Sequence, residues 1–129
     1  MNTFSVLVLD DDVEVCRMLN LMLPSDHYEV EFSHSVADAL QAIEQKPFDL
    51  YLMDFTLPDG SGLDAARLVR SKWGDAPIII LSGYEAKAIA LKAEQLRISD
   101  FLEKPFSRQT ICNAMEKAIA SLPLAAALI

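Results

Sequence analysis

Only two cysteines occur in 129 residues, Cys16 and Cys112, and neither sits in a Cys-x-x-Cys or Cys/His spacing. Neither a disulfide framework nor a zinc site is suggested, which leaves free thiols in a reducing compartment. Basic residues are scarce as well: 11 Lys and Arg face 19 Asp and Glu, for a formal net charge of −8. A chain of that sign repels a phosphate backbone, so direct nucleic-acid binding is not expected. No apolar run approaches the roughly 18 residues of a membrane span, and no basic stretch leads a long apolar one at the N-terminus. The expectation is a cytoplasmic chain without membrane association. Low-complexity tracts, internal repeats and linkers are also missing, which points to one domain.

What is present suffices for a core. Hydrophobic residues make up 52% of the chain and charged residues 23%, ordinary values for a folded domain. Short β-rich apolar runs at Phe4–Leu9, Tyr28–Phe32, Leu50–Met53, Ile78–Leu81 and Phe101–Leu102 are the strand candidates. Between them, Val15, Met18, Leu19 and Met22 recur at helical spacing and stop at Pro24; Ala37, Leu40 and Ile43 do the same before Pro47. Gly62–Lys72 and Glu85–Leu96 supply a third and a fourth helix, and Ser107 is the expected N-cap of a fifth, ending near Pro123. Strict alternation of strand and helix predicts an α/β fold, a parallel sheet covered by helices on both faces. Continuous apolar runs such as Val6–Leu9 and Ile78–Leu81 suit strands buried on both sides.

In open parallel sheets, ligands bind beyond the C-terminal ends of the strands, so the residues that follow each apolar run matter most. Asp10, Asp11 and Asp12 follow the first run, Asp54 the third, Ser82 the fourth and Lys104 the fifth. Carboxylates about 5 Å apart repel by on the order of 3 kcal/mol per pair at an effective dielectric near 20, and a hard cation offsets that naturally. The competing role for an Asp at such a place is to cap the next helix. Asp12 is best read that way, because it begins the first helix. Asp54 is not, because a turn-rich loop, Thr56–Gly62, stands between it and the next helix.

Four segments, Val6–Asp12, Met53–Gly62, Ile80–Tyr84 and Asp100–Phe106, occur in order and resemble the signature blocks of response-regulator receiver domains. The resemblance runs from about Phe4 to about Leu122. It implies a flavodoxin-like (βα)5 fold with strand order 2-1-3-4-5 and five helices, with residues 1–123 as the receiver and 124–129 as a tail or the start of a linker. It further implies that Asp54 is the phosphoacceptor and that Asp11, Asp10, Asp54 and the backbone carbonyl of Thr56 bind Mg2+, with Mn2+ as a substitute. Ser82 and Lys104 would contact the phosphoryl oxygens, Lys104-Pro105 would be a cis peptide, and Ser82 with Phe101 would form the switch.

The implied role is that of a signalling domain, not an enzyme with a separate substrate. Its donor is a sensor histidine kinase or a phosphotransfer protein, and its output goes to an effector domain, a downstream protein or a second copy of the chain. The output face would join the fourth helix, the fifth strand and the last helix, where Lys92, Arg97, Asp100, Arg108 and Lys117 supply mixed charge. Arg97 departs from the glycine that many relatives carry, so a reshaped turn is expected there, and Thr56 and Tyr84 flank the site at variable positions. Two alternatives remain: a receiver-like binding module that takes no phosphate, and a haloacid-dehalogenase-type phosphohydrolase using Asp10-x-Asp12. Against the second, Glu14 stands where that family has Thr or Val, and Asp54 has no role in it.

Overall fold

The structure, a computed structural model, describes residues 3–83 and 94–121. Its strands are β1 (Phe4–Leu9), β2 (Tyr28–Ser33), β3 (Leu50–Asp54), β4 (Thr56–Leu57), β5 (Gly60–Ser61), β6 (Ile78–Ser82) and β7 (Asp100–Glu103). Four α-helices lie among the described residues: α1 (Val13–Met22), α2 (Val36–Gln45), α3 (Gly62–Trp73) and α4 (Arg108–Ala120). The helix expected over Glu85–Leu96 falls outside the described residues except for Glu94–Leu96, which form a 3-10 turn.

Five strands pair in parallel in the order β2-β1-β3-β6-β7, while β4 and β5 form a separate two-residue hairpin. Counted by the strands of the large sheet alone, this is the expected order 2-1-3-4-5. Side chains of a strand alternate between its faces, and that parity divides the core in two. Leu7, Leu9, Tyr51, Met53, Ile78 and Ile80 pack with α2 and α3 on one side; Val6, Val8, Leu50, Leu52, Ile79 and Leu81 pack with α1 and α4 on the other. Double coverage is why the central strands read as unbroken apolar runs.

Local chemistry fixes where each helix begins. Asp12 caps α1 by accepting from the Glu14 and Val15 N–H groups at 2.9 and 3.4 Å, as its position predicts. Ser35 caps α2, and Ser107 caps α4 through the Thr110 N–H at 3.1 Å. Ser61 and Asp64 close a capping box on α3, each side chain accepting from the other end of the first turn. Pro24 and Pro47 follow the ends of α1 and α2, where a further turn would need the N–H that proline lacks.

From β1 the chain runs outward to β2, then returns across β1 to place β3 on its other side. The loops after β1 and β3 therefore leave the sheet in opposite directions and open a crevice at their C-terminal ends. Asp10 ends one wall of that crevice and Asp54 the other.

Candidate functional site

Asp10, Asp11 and Asp54 meet in the crevice: each offers a carboxylate oxygen, and these oxygens lie within 4.8 Å of one another. Asp10 is fully buried and Asp54 nearly so, whereas Asp11 is exposed. Asp10 Oδ1 accepts from the Asp12 N–H at 2.9 Å, which fixes its carboxylate plane. Lys104, just past β7, reaches in from the far side, with Nζ 2.7 Å from Asp10 Oδ2 and 3.2 Å from Asp54 Oδ2. The contact to Asp10 is an ion pair by distance, but Oδ2 receives no well-directed hydrogen bond. Lys104 precedes a cis peptide to Pro105, the isomer the resemblance implies.

Ser82 ends β6, is buried, and its Oγ has no hydrogen-bond partner. A buried hydroxyl without a partner carries a desolvation penalty of about 1–3 kcal/mol. Its backbone carbonyl accepts from the Lys104 N–H at 2.7 Å, tying the two residues together. Thr56 starts the small hairpin two residues beyond Asp54, with an exposed side chain. Phe101 lies half-buried in β7 against the α2–α3 side of the core. Tyr84 and Lys92 lie outside the described residues.

Burial first, and then the neighbouring Asp10, push the Asp54 carboxyl above its ordinary pKa; Lys104 and the Thr56 N–H pull the other way without cancelling the shift. Burial alone would lower the Lys104 pKa, but Asp10 and then Asp54 outweigh it and hold the ammonium charged. One ammonium thus pairs with two of the three carboxylates, Asp10 and Asp54. Together with the unpartnered buried hydroxyl of Ser82, that excess of carboxylate over ammonium fits a hard divalent cation with oxygen ligands.

Other features of the site were not foreseen from the sequence. A Cβ at position 62 would lie 2.2 Å from the carbonyl oxygen of Asp54, so only glycine lets α3 start against the end of β3. Cys16 Sγ and His34 Nδ1 both approach the Asp10 carbonyl, at 3.5 and 3.0 Å. Burial, reinforced by Asp10 and Asp12, pushes the Cys16 thiol up to about 11, which makes it an inert packing group. No local pattern announces these contacts, because each joins residues on different elements.

Arg97 itself adopts the left-handed conformation that favours glycine, with φ of 52°. Its guanidinium pairs with Asp75 at 2.6 Å, and its carbonyl accepts from Arg70 at 3.0 Å.

Residues 6–116 match the family model of the response regulator receiver domain. The chain is 33% identical over 111 residues to the acid tolerance regulatory protein ActR of Rhizobium meliloti, covering 86% of this chain and 57% of that protein. It is 30% identical over 119 residues to the photosynthetic apparatus regulatory protein RegA of Cereibacter sphaeroides, covering 92% and 65%. The chain therefore spans less than two thirds of the length of either relative. Among solved structures, the receiver domain of a sensor histidine kinase from Pseudomonas aeruginosa PAO1, with a magnesium ion coordinated in its active-site cleft, aligns with a TM-score of 0.81. It shares 26% identity, over 93% of this chain and all of that one. Among the described residues no helix is long and apolar enough to cross a membrane. With the sheet order, the acidic crevice and the match over residues 6–116 in agreement, the chain belongs to the response regulator receiver domain family.

Proposed function

We propose that this chain is the phosphoacceptor of a cytoplasmic two-component pathway, in which Asp54 takes a phosphoryl group from a phosphohistidine on a sensor histidine kinase or phosphotransfer protein. The observation that carries this reading is the junction of Asp10, Asp11 and Asp54 within 4.8 Å, bridged by Lys104. A carboxylate oxygen of Asp54 forms a new P–O bond as the P–N bond of the donor breaks, giving an acyl phosphate. Lys104 offsets charge on the transferred group, and the unpartnered Ser82 hydroxyl donates to one of its oxygens. Asp10, Asp11, Asp54 and the Thr56 carbonyl would hold Mg2+, or Mn2+ in its place; when bound, the ion neutralises phosphoryl charge and relieves the repulsion among the carboxylates. The chain catalyses its own phosphorylation and slow dephosphorylation, and no other substrate.

Phosphorylation adds negative charge that Lys104 and Ser82 meet only in one of two conformations, which shifts the population. Movement of Ser82, with Phe101 following, would carry that change to the face formed by the fourth of the five expected helices, β7 and α4. An effector domain, a downstream protein or a second copy of the chain would read it. Residues 1–123 form the receiver unit in this scheme, and 124–129 its tail or the start of a linker. The hydrolase alternative is disfavoured because Asp12 already uses its carboxylate to cap α1.

Intact-mass spectrometry after incubation with acetyl phosphate tests the proposal. A Mg2+-dependent gain of one phosphoryl group, absent in Asp54→Asn, is expected; no gain under any condition would favour the phosphate-independent module.

A further inference from the structure

The Thr56–Ser61 hairpin that carries the proposed Thr56 ligand is only two residues per strand, too short to hold its own geometry in water. Its base is tied down by the Gly62 N–H, which donates to the Phe55 carbonyl at 3.1 Å. Its tip is held by Asp59. Oδ1 accepts from the Val36 N–H at 2.9 Å and Oδ2 from the Ala37 N–H at 3.1 Å. Those are donors of the first turn of α2, which have no partner within the helix.

The helix already has a local cap, because Ser35 Oγ accepts from the Asp38 N–H at 3.1 Å. A second acceptor reaching back more than 20 residues along the chain adds to that helix end, and it also pins the loop. The backbone at the tip is built for close approach: Gly60 has φ of 154°, and a Cβ there would lie 2.9 Å from Asp64 Oδ2 and 3.3 Å from Val36 Cγ2. The hairpin therefore rests against the start of α2, with Asp59 as its clasp and Thr56 at the other end of the same short unit.

We propose that Asp59 is a positioning residue for the cation site: by binding the N-terminus of α2 it fixes the hairpin that presents Thr56, and so sets the affinity of the Asp10, Asp11 and Asp54 cluster for Mg2+. This rests on the cation-dependent reading given above. Groups that orient metal ligands without touching the metal commonly change metal affinity by ~10-fold or more.

The test is a Mg2+ titration followed by amide NMR shifts on the unmodified chain, Asp59→Ala, Asp59→Asn, Ser35→Ala and Asp11→Asn, with a urea midpoint for each. Asp59→Ala should weaken Mg2+ binding by roughly 10-fold, and Asp59→Asn, which keeps one acceptor and a safer fold, by a smaller factor. Ser35→Ala removes a cap from the same helix end without touching the hairpin; it should lower the urea midpoint and leave the Mg2+ dissociation constant unchanged. Wild-type Mg2+ affinity in both Asp59 variants, or equal weakening in Ser35→Ala, would show that Asp59 is only a helix cap and overturn the inference. If the unmodified chain binds no Mg2+, or Asp11→Asn binds it equally well, the cation reading itself fails, a result distinct from the other two.

Discussion

At the N-terminal end of the sheet, polar groups close on one another. The Ser5 N–H donates to Asp49 Oδ2 at 2.8 Å and the Asp49 N–H returns to Ser5 Oγ at 3.1 Å, while the buried Tyr51 hydroxyl accepts from the Phe48 N–H at 3.0 Å. At the C-terminal end, Ser82 Oγ is buried without a hydrogen-bond partner, and of three clustered carboxylates only Asp10 and Asp54 pair with the one ammonium, Lys104. Both ends belong to the same strands and the same core. Folding alone therefore does not require the imbalance at one end, and the difference marks where the molecule holds binding capacity in reserve.

Removing the ammonium should widen that contrast most. Lys104→Met is expected to slow labelling by acetyl phosphate about 100-fold, followed as a mass-spectrometric time course. In chelator it should also lower unfolding free energy by ~3 kcal/mol, because two buried carboxylates lose their counter-ion. At the opposite end, Tyr51→Phe should cost about 1–3 kcal/mol by urea titration, since the Phe48 N–H loses its acceptor in a dry site. It should leave the labelling rate and Mg2+ affinity at their wild-type values. A parallel loss of function would break the comparison.

Ser82→Ala sharpens it from the other direction. The hydroxyl makes no hydrogen bond in the resting fold, so its removal should cause no measurable loss of stability, yet labelling should slow by roughly 10-fold if Oγ serves the phosphoryl group. The smallest effect concerns Asp54. Its carboxyl is raised above the ordinary value, by burial and then by Asp10, so its ionisation opposes folding. That handicap is absent below the ordinary carboxylate pKa, grows as pH rises from there to the raised one, and is constant above it. In chelator, Asp54→Asn should melt above the wild type at pH 7, and the gap should vanish toward about pH 3.

Much of this was legible in the sequence because it depends on local pattern. All five sheet strands were marked by apolar runs, Asp12 and Ser107 declared themselves as caps by position, and the strand-end rule brought Asp10, Asp54, Ser82 and Lys104 to one edge. What escaped were contacts made across elements. Asp59 reads as a turn residue, because its role depends on N–H groups of α2, an element that precedes β3 in the chain. Arg70 lies within the expected third helix, and nothing in its spacing shows that its half-buried guanidinium binds the carbonyls of Gly74, Ala76, Leu96 and Arg97. Neither spacing nor propensity carries information of that kind; only the packed fold does.

The central claim is that Asp54, and no other carboxylate of the crevice, is the nucleophile. Borohydride reduction of the acetyl-phosphate-treated chain, followed by peptide sequencing in a mass spectrometer, tests it directly, since reduction of an acyl phosphate converts that aspartate to homoserine. Homoserine at position 54, formed only with Mg2+, is the predicted result. Homoserine at position 10 would contradict the account and point to the phosphohydrolase chemistry of the Asp10-x-Asp12 pair.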